Sequence, residues 1–170
     1  MANRDNPHGF IIRYNPTGEV RGEQVLLAAA NAIIGVGDPL QQTSDGVYDR
    51  WSSGRIDGFA MQAAAASSGG VTILACLDPN VVVSAQTDNG TGTLTSQTGI
   101  NLNADIVIGN AVNGISIAEI DESSGATTAT LPLKIIGLDP ALDNAFGQFN
   151  RLLCIANNHS RKGGTGTAGI

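Results

Sequence analysis

The segment VTILACLDPNVVV, residues 71–83, decides the fold class of this chain. It contains two short apolar runs rich in β-branched residues, whose side chains favour an extended backbone. The residues between the runs, Asp78-Pro79-Asn80, favour a turn, because Pro fixes φ and Asp can hydrogen-bond to its own backbone. The segment therefore predicts a strand at residues 71–77, a turn, and a second strand that begins at residue 81.

Short apolar runs separated by Gly, Pro, Asn and Ser recur on both sides of this segment. The further predicted strands are residues 25–34, 47–51, 55–64, 106–108, 115–120, 128–138 and 151–156. Strands that follow one another at intervals of about ten residues are typical of sandwiches and barrels. We therefore predict an all-β fold, a single β-sandwich or small β-barrel domain of short antiparallel strands.

The Ala-rich run at residues 63–66 is the strongest local helix signal, because Ala has the highest helix propensity. Ser and Gly at residues 67–70 follow at once, and the strand 71–77 comes next. A β-hairpin accounts for the whole stretch, so we predict a hairpin here.

The ends of the chain differ in composition from its middle. Residues 1–21 contain Pro and Gly with one short apolar piece and are predicted to form an extended N-terminal arm. Residues 22–158 are predicted to form the β-rich core domain, and residues 159–170 a flexible, Gly-rich C-terminal tail. Residues 87–99, with Leu94 as their one large apolar side chain, are predicted to be an exposed flexible loop.

The charge pattern argues against nucleic acid and membrane as partners. The net charge is −6, and no Lys or Arg lies between Arg55 and Lys134, so a phosphate backbone would be repelled there. The chain lacks an apolar run long enough to span a membrane and a hydrophobic segment near its first residue. We expect synthesis in a cytoplasm.

Cys76 and Cys154 lie within apolar runs and are predicted to be buried thiols rather than a disulfide.

The residue types that carry catalysis are scarce. The two histidines, His8 and His159, lie in the terminal segments, where we expect them to be solvated or in an interface. Glu119, Asp121 and Glu122 are close enough in sequence for paired-carboxylate chemistry. A solvated turn is the more ordinary role for such residues, and few aromatic side chains are present to stack on a sugar. We expect no enzyme activity, no catalytic residues and no cofactor.

Metal binding has one candidate chemistry in this sequence. Asp88-Asn89-Gly90 and Asp121-Glu122 carry oxygen ligands of the kind that Ca²⁺ prefers, but neither follows the spacing of an EF-hand. Solvated turns are more common, so the sequence analysis assigns no metal site. The aromatic residues Phe10, Tyr14 and Trp51 fit either core positions or interface anchors, and the sequence leaves both open.

The order of several short segments is similar to that of a known family. These are residues 1–3, 7–10 followed by Arg13, 37–39, 78–80 followed by 81–86, 101–105, 119–121, and 131–138 followed by Asp139-Pro140. In this order the chain resembles the small capsid decoration proteins, also called cement or head-stabilisation proteins, of tailed bacteriophages.

The resemblance implies a structural virion protein without catalytic residues. Such a protein binds the outer surface of the expanded phage capsid, is often a homotrimer, and has the lattice of the major capsid protein as its partner. The implied location is the capsid exterior, after synthesis in the host cytoplasm. We expect His8, Phe10, Arg13 and Tyr14 to contact the capsid or a neighbouring subunit. The alternative is a β-rich phage fibre or a receptor- or glycan-binding adhesin.

Overall fold

The strands of this protein form two antiparallel sheets in a computed structural model that describes residues 3–67, 69–163 and 166–170. In chain order the strands are β1 (Ile11–Tyr14), β2 (Glu23–Leu26), β3 (Pro39–Gln42), β4 (Tyr48–Arg50), β5 (Gly58–Ala60), β6 (Thr72–Cys76), β7 (Val82–Gln86), β8 (Asn103–Val107), β9 (Glu119–Ala126), β10 (Leu133–Leu138) and β11 (Arg151–Ala156). Three short 3₁₀ helices, Thr93–Thr95, Gln97–Gly99 and Ser160–Lys162, complete the elements of the described residues. The all-β prediction is confirmed.

The two sheets differ in size. The larger has the strand order β1-β7-β11-β10-β8-β9, and the smaller has the order β2-β6-β5-β3-β4. A parallel bridge between Thr87 and Ile120 joins the end of β7 to β9, the second and sixth strands of the larger sheet. The larger sheet therefore curls back on itself.

The turn at Asp78-Pro79-Asn80 connects the two sheets. Oδ1 of Asp78 accepts a hydrogen bond from the backbone N–H of Asn80 at 2.8 Å, as expected for an Asp at the start of a turn. The strands on either side, β6 and β7, belong to different sheets. The predicted hairpin before this turn also forms, since β5 pairs antiparallel with β6.

The main core lies between the sheets. Phe59 and Cys76 from the smaller sheet pack in one cluster with Val83, Ile135 and Cys154 from the larger sheet. Along β11, the buried residues alternate with partly exposed ones, which is the period of a strand with one face in a core. Cys76 and Cys154 are both buried and free, which confirms the prediction of buried thiols.

A second, smaller cluster covers the other face of the smaller sheet. Its members are buried apolar side chains from β2 to β6 and the connections between them: Val25, Leu27, Ile34, Leu40, Tyr48, Ala60, Ile73, Ala75 and Leu77. The opposite face is buried at Phe59 and Cys76, which lie in the main core, but is exposed at Leu26 and Thr72.

Several strand boundaries differ from the predicted ones. The predicted strand 25–34 is a strand only as far as Leu26, and the residues beyond it are irregular although Leu27 and Ile34 are buried. Strand β3 was not predicted, because Pro39 at its first position signals a turn; a Pro is tolerated at the start of a strand. As a result β4 pairs with β3 and not with the next run along the chain.

Residues 87–99 are exposed only in part, although their composition predicts an exposed loop. Leu94 is fully buried in the main core, and two of the 3₁₀ helices lie in this segment. Burial of the Leu94 side chain removes apolar surface from water, and this favours packing of the segment against the sheet.

The C-terminal residues also make ordered contacts. His159 is buried with 1% of its surface exposed, which corrects the expectation of a solvated or interface side chain. Further on, the backbone N–H of Gly169 donates to the carbonyl of Thr127 at 3.1 Å, and that of Ile170 donates to Asn101 at 3.1 Å. Part of the predicted tail, residues 164 and 165, lies outside the described residues, as do residues 1 and 2 of the predicted arm.

Candidate functional site

The N-terminal segment lies along one edge of the larger sheet. Strand β1 is the end strand of that sheet, and it pairs with β7 so that Ile11 faces Ser84 and Ile12 faces Val83. Among the described residues, β1 has no strand on its other side. Unpaired backbone N–H and C=O groups of an edge strand can hydrogen-bond to another chain.

Phe10 anchors this segment in the main core. Its side chain is 1% exposed, and its ring lies 5.4 Å from the ring of Phe59. Its backbone N–H donates to the carbonyl of Gly37 at 2.9 Å. Phe10 is therefore a core residue, and its buried ring is not available for the capsid or subunit contact that the sequence analysis expected of it. Trp51 is likewise buried, so of the three aromatic residues left open only Tyr14 is exposed.

The turn that leads into Phe10 requires a glycine. Gly9 has a φ of +66°, and a Cβ built on it would lie 2.4 Å from Cβ of Ser116. The left-handed backbone and the close approach both exclude a larger residue. This glycine directs the ring of Phe10 inward.

Arg13 forms an ion pair with the buried carboxylate of Asp139. The hydroxyl of Ser84 also donates to this carboxylate, at 2.5 Å, and the backbone N–H of Ala141 donates at 3.1 Å. Burial by itself would raise the pKa of Asp139, but the hydrogen bond from Ser84 and the charge of Arg13 hold that pKa below its usual value. Arg13 therefore fastens β1 to the turn after β10.

Replacing Arg13 with Ala should lower the free energy of unfolding by about 1–2 kcal/mol, because Asp139 loses its charged partner but keeps two other donors. Urea unfolding at neutral pH measures the difference. The loss should be largest above the ordinary Asp pKa of 3.8 and should disappear as the pH falls through the depressed pKa of Asp139, where the carboxylate becomes protonated.

Arg4 supplies the matched control, since it is exposed and takes part in none of the ion pairs of the described residues. Replacing Arg4 with Ala should change the stability by less than about 0.5 kcal/mol. Equal losses for the two variants would show that the pair with Asp139 contributes nothing.

Two other predicted contact residues, His8 and Tyr14, are exposed. Tyr14 is 49% exposed at the end of β1, and Ile11 on the same strand is also exposed. His8 and Ile11 line a groove of about 340 Å³ beside the strand. We call His8, Ile11, Tyr14 and this groove the β1 surface.

The other wall of the groove comes from the segment between β10 and β11. The side chain of Asn3 donates to the carbonyls of Ala145 and Gln148, both at 2.8 Å, and accepts from the backbone N–H of Ala145 at 3.1 Å. Asp143 and Arg151 form an ion pair on the same wall. The N-terminal segment is therefore attached on one side of the groove through the pairing of β1 with β7, and on the other side through the hydrogen bonds of Asn3.

The acidic residues of β9 meet Asp88 in the fold. One carboxylate oxygen from each of Asp88, Asp121 and Glu122 lies within 4.8 Å of the other two. Burial, followed by the charges of Asp5 and Asp88, raises the pKa of Glu119 to about 7. Sequence reasoning considered Asp88 and Asp121-Glu122 as separate turns, because nothing in the sequence shows that segments more than 30 residues apart are adjacent.

Comparison with protein-family models, with curated proteins and with solved structures finds no match to this chain. In the described residues, no helix has the length and apolar character needed to cross a membrane. What the fold defines is an all-β protein of two antiparallel sheets that presents a firmly anchored edge strand.

Proposed function

We propose that this protein is a structural virion component of a tailed bacteriophage that binds the outer surface of the expanded capsid and stabilises it. The observation that supports this most is the β1 surface, an unpaired strand edge with exposed apolar and aromatic side chains. The sequence resemblance to decoration proteins supports the same function.

The anchoring of β1 suits a binding edge. The contact of Phe10 with Phe59 and the ion pair of Arg13 with Asp139 fix the position of β1. Because the strand is already ordered, it loses little conformational entropy when a partner binds. Tyr14 offers a large amphipathic contact, and Tyr is enriched among the residues that dominate interface energies. A segment of the partner can pair with the unpaired edge of β1 while its side chains contact Ile11 and Tyr14.

The partner in this proposal is the lattice of the major capsid protein, and the protein binds as a homotrimer. Three linked copies convert weak single contacts into strong attachment, because each later contact forms at high effective concentration. The net charge of −6 disfavours attachment through nucleic acid or through an anionic membrane surface.

Replacing Tyr14 with Ala should weaken capsid binding by about tenfold or more, the effect of truncating an aromatic residue that contributes strongly to an interface. Co-sedimentation with expanded, undecorated capsids over a range of protein concentrations measures the change. The melting temperature of the folded state should change little, since Tyr14 is about half exposed and belongs to neither core cluster.

Val112 offers a control of similar exposure, at 56%, in the connection between β8 and β9 and outside the residues that line the groove. The Val112→Ala protein should bind capsids like the unchanged protein. Loss of binding in both variants, or in neither, would remove the β1 surface from the proposal.

The function itself is tested by the unchanged protein. Saturable binding to the cognate expanded capsid, a higher melting temperature of the decorated capsid and a trimeric mass by light scattering would support it. Failure to bind that capsid would overturn it and would favour the β-rich fibre or glycan-binding adhesin, which a glycan array then tests.

A further inference from the structure

A cluster of three carboxylates lies where β9 meets the segment that follows β7. We propose that Asp88, Asp121 and Glu122 form a binding site for a hard divalent cation, Ca²⁺. The inference is independent of the proposed function, because it rests on these side chains alone.

The fold brings the three residues together from two separate parts of the chain. Thr87 bridges to Ile120, the backbone N–H of Asp88 donates to the carbonyl of Ile120 at 3.1 Å, and the N–H of Glu122 donates to Oδ1 of Asp88 at 3.2 Å. These bonds align the segments so that one oxygen of each carboxylate lies within 4.8 Å of the others. Carboxylate oxygens at this separation can bind the same ion.

Glu122 provides an observation beyond the clustering. Its side chain is buried with 2% exposed, and its Oε2 has no hydrogen-bond partner within the described part of the chain. Its Oε1 accepts only a long hydrogen bond, 3.4 Å, from the backbone N–H of Thr91. An ionised carboxylate buried in this way is costly unless a counter-charge compensates it. A cation at the cluster would supply that charge.

The described residues offer no positive side chain for this purpose. Their ion pairs are Arg13–Asp139, Arg55–Asp57, Arg151–Asp143 and Arg161–Glu23. None of them includes a carboxylate of the cluster, and the sequence has no Lys or Arg between residues 55 and 134. Within the described part of the chain, the carboxylates of the cluster therefore lack a cationic side chain at ion-pair distance.

The donor atoms select the class of ion. All three side chains offer oxygen, whereas Zn²⁺ in proteins is usually bound by nitrogen and sulfur ligands. Ca²⁺ accepts about six to eight oxygens in irregular geometry and tolerates carboxylates from unrelated segments, while Mg²⁺ demands a near-ideal octahedron. Three carboxylates without regular spacing fit Ca²⁺ better.

The backbone of Gly92 packs directly against Glu122 of the cluster. A Cβ at this position would lie 2.6 Å from Oε2 of Glu122 and 2.3 Å from the carbonyl oxygen of Glu122. Only glycine allows the segment to approach the carboxylate this closely. A bound ion would therefore tie residues 88–92 to β9 and help to keep Leu94, two residues further on, in the core.

Calorimetric titration and thermal unfolding test the site directly. The metal-free full chain is titrated with Ca²⁺ and with Mg²⁺, and its melting temperature is measured in Ca²⁺, Mg²⁺ and chelator at matched ionic strength. We expect one Ca²⁺ per chain and a rise in melting temperature of about 5–10 °C when Ca²⁺ is about a hundred times its Kd. No heat of binding, together with equal melting temperatures in Ca²⁺ and chelator, would overturn the proposal, and an equal response to Mg²⁺ would overturn the assignment to Ca²⁺.

Isosteric variants locate the binding. Glu122→Gln and Asp121→Asn should abolish the Ca²⁺-dependent shift, whereas Asp45→Asn, which changes an exposed acid elsewhere, should keep it in full. In chelator, Glu122→Gln should melt no lower than the unchanged protein, because it removes an uncompensated buried charge. A full Ca²⁺-dependent shift in melting temperature for Asp121→Asn would show that the ion binds elsewhere. Asp121 is more exposed than Glu122, so the Asp121→Asn protein still tests the site if Glu122→Gln does not fold.

Discussion

Replacing Phe10 with Ala should lower the free energy of unfolding by about 3–5 kcal/mol, the usual cost of truncating a fully buried Phe. The ring lies 1% exposed between the sheets and contacts Phe59, so its removal leaves a cavity in the main core. Urea unfolding followed by tryptophan fluorescence is a suitable measurement, because Trp51 belongs to the same core cluster.

Two comparisons make the Phe10 experiment specific. Ile11 is the next residue but is exposed on β1, so Ile11→Ala should cost less than about 1 kcal/mol. Phe10→Leu keeps most of the apolar volume and should cost less than Phe10→Ala. If Phe10→Ala costs no more than Ile11→Ala, the N-terminal segment does not pack against the core in solution, and the β1 surface loses its anchor.

The contribution of His159 to stability should fall as the pH is lowered from about 6.5 to about 4. Burial, the largest cause, lowers the pKa of His159 from 6.5 to about 4 in the folded state. Four charged neighbours act on it as well: Asp57 and Asp78 raise the pKa, while Lys162 and Arg161 lower it. The neutral imidazole is therefore the form that the fold holds.

The direction of the pH effect follows from proton binding. Between the folded pKa of about 4 and the unfolded value of 6.5, the unfolded chain binds a proton that the folded chain does not. Stability from His159 is therefore fully present above the unfolded pKa and is lost as the pH falls through this window, by about 3 kcal/mol in total. Glu119, whose pKa is raised to about 7, changes the stability in the opposite direction over this range. The loss from His159 is therefore measured as a difference from a variant, by urea unfolding at several pH values between 4 and 7.

A variant isolates the contribution of His159 from those of the carboxylates that titrate in the same range. Nδ1 of His159 accepts a hydrogen bond from the backbone N–H of Arg161 at 3.0 Å, and Asn can accept at this position without titrating. The difference in unfolding free energy between the unchanged protein and His159→Asn should shift with pH across this window. A constant difference would show that His159 titrates normally in the folded state.

The sequence predicted most of the strands and one hairpin, β5 with β6, but not the rest of the pairing. β11 has the same bounds as the predicted strand, because its alternating apolar residues reflect a single buried face. The prediction failed at β3, where a local turn signal from Pro39 was outweighed by pairing with β4 and β5. It also failed at residues 87–99, where composition favoured exposure but Leu94 reaches the core.

For the candidate sites, too, the sequence identified some of the residues but not the contacts that they make. Sequence reasoning selected Arg13 and Tyr14 from their position in an arm, but it did not separate Arg13, which binds a buried carboxylate, from Tyr14, which is exposed. It found the loop Asp88-Asn89-Gly90 and the acidic pair Asp121-Glu122, yet it did not predict that they are adjacent in the fold. Each of these facts depends on a partner more than 30 residues away along the chain.

The sequence by itself determined the β class, the two buried thiols and the acidic, weakly charged surface. These properties follow from composition and local periodicity, which act on each segment independently of the others. Only the tertiary structure decided that Phe10 and His159 are buried, that the turn at residue 78 joins two sheets and that three carboxylates meet. Contacts between distant segments arise from strand pairing and packing, which short-range sequence patterns do not specify.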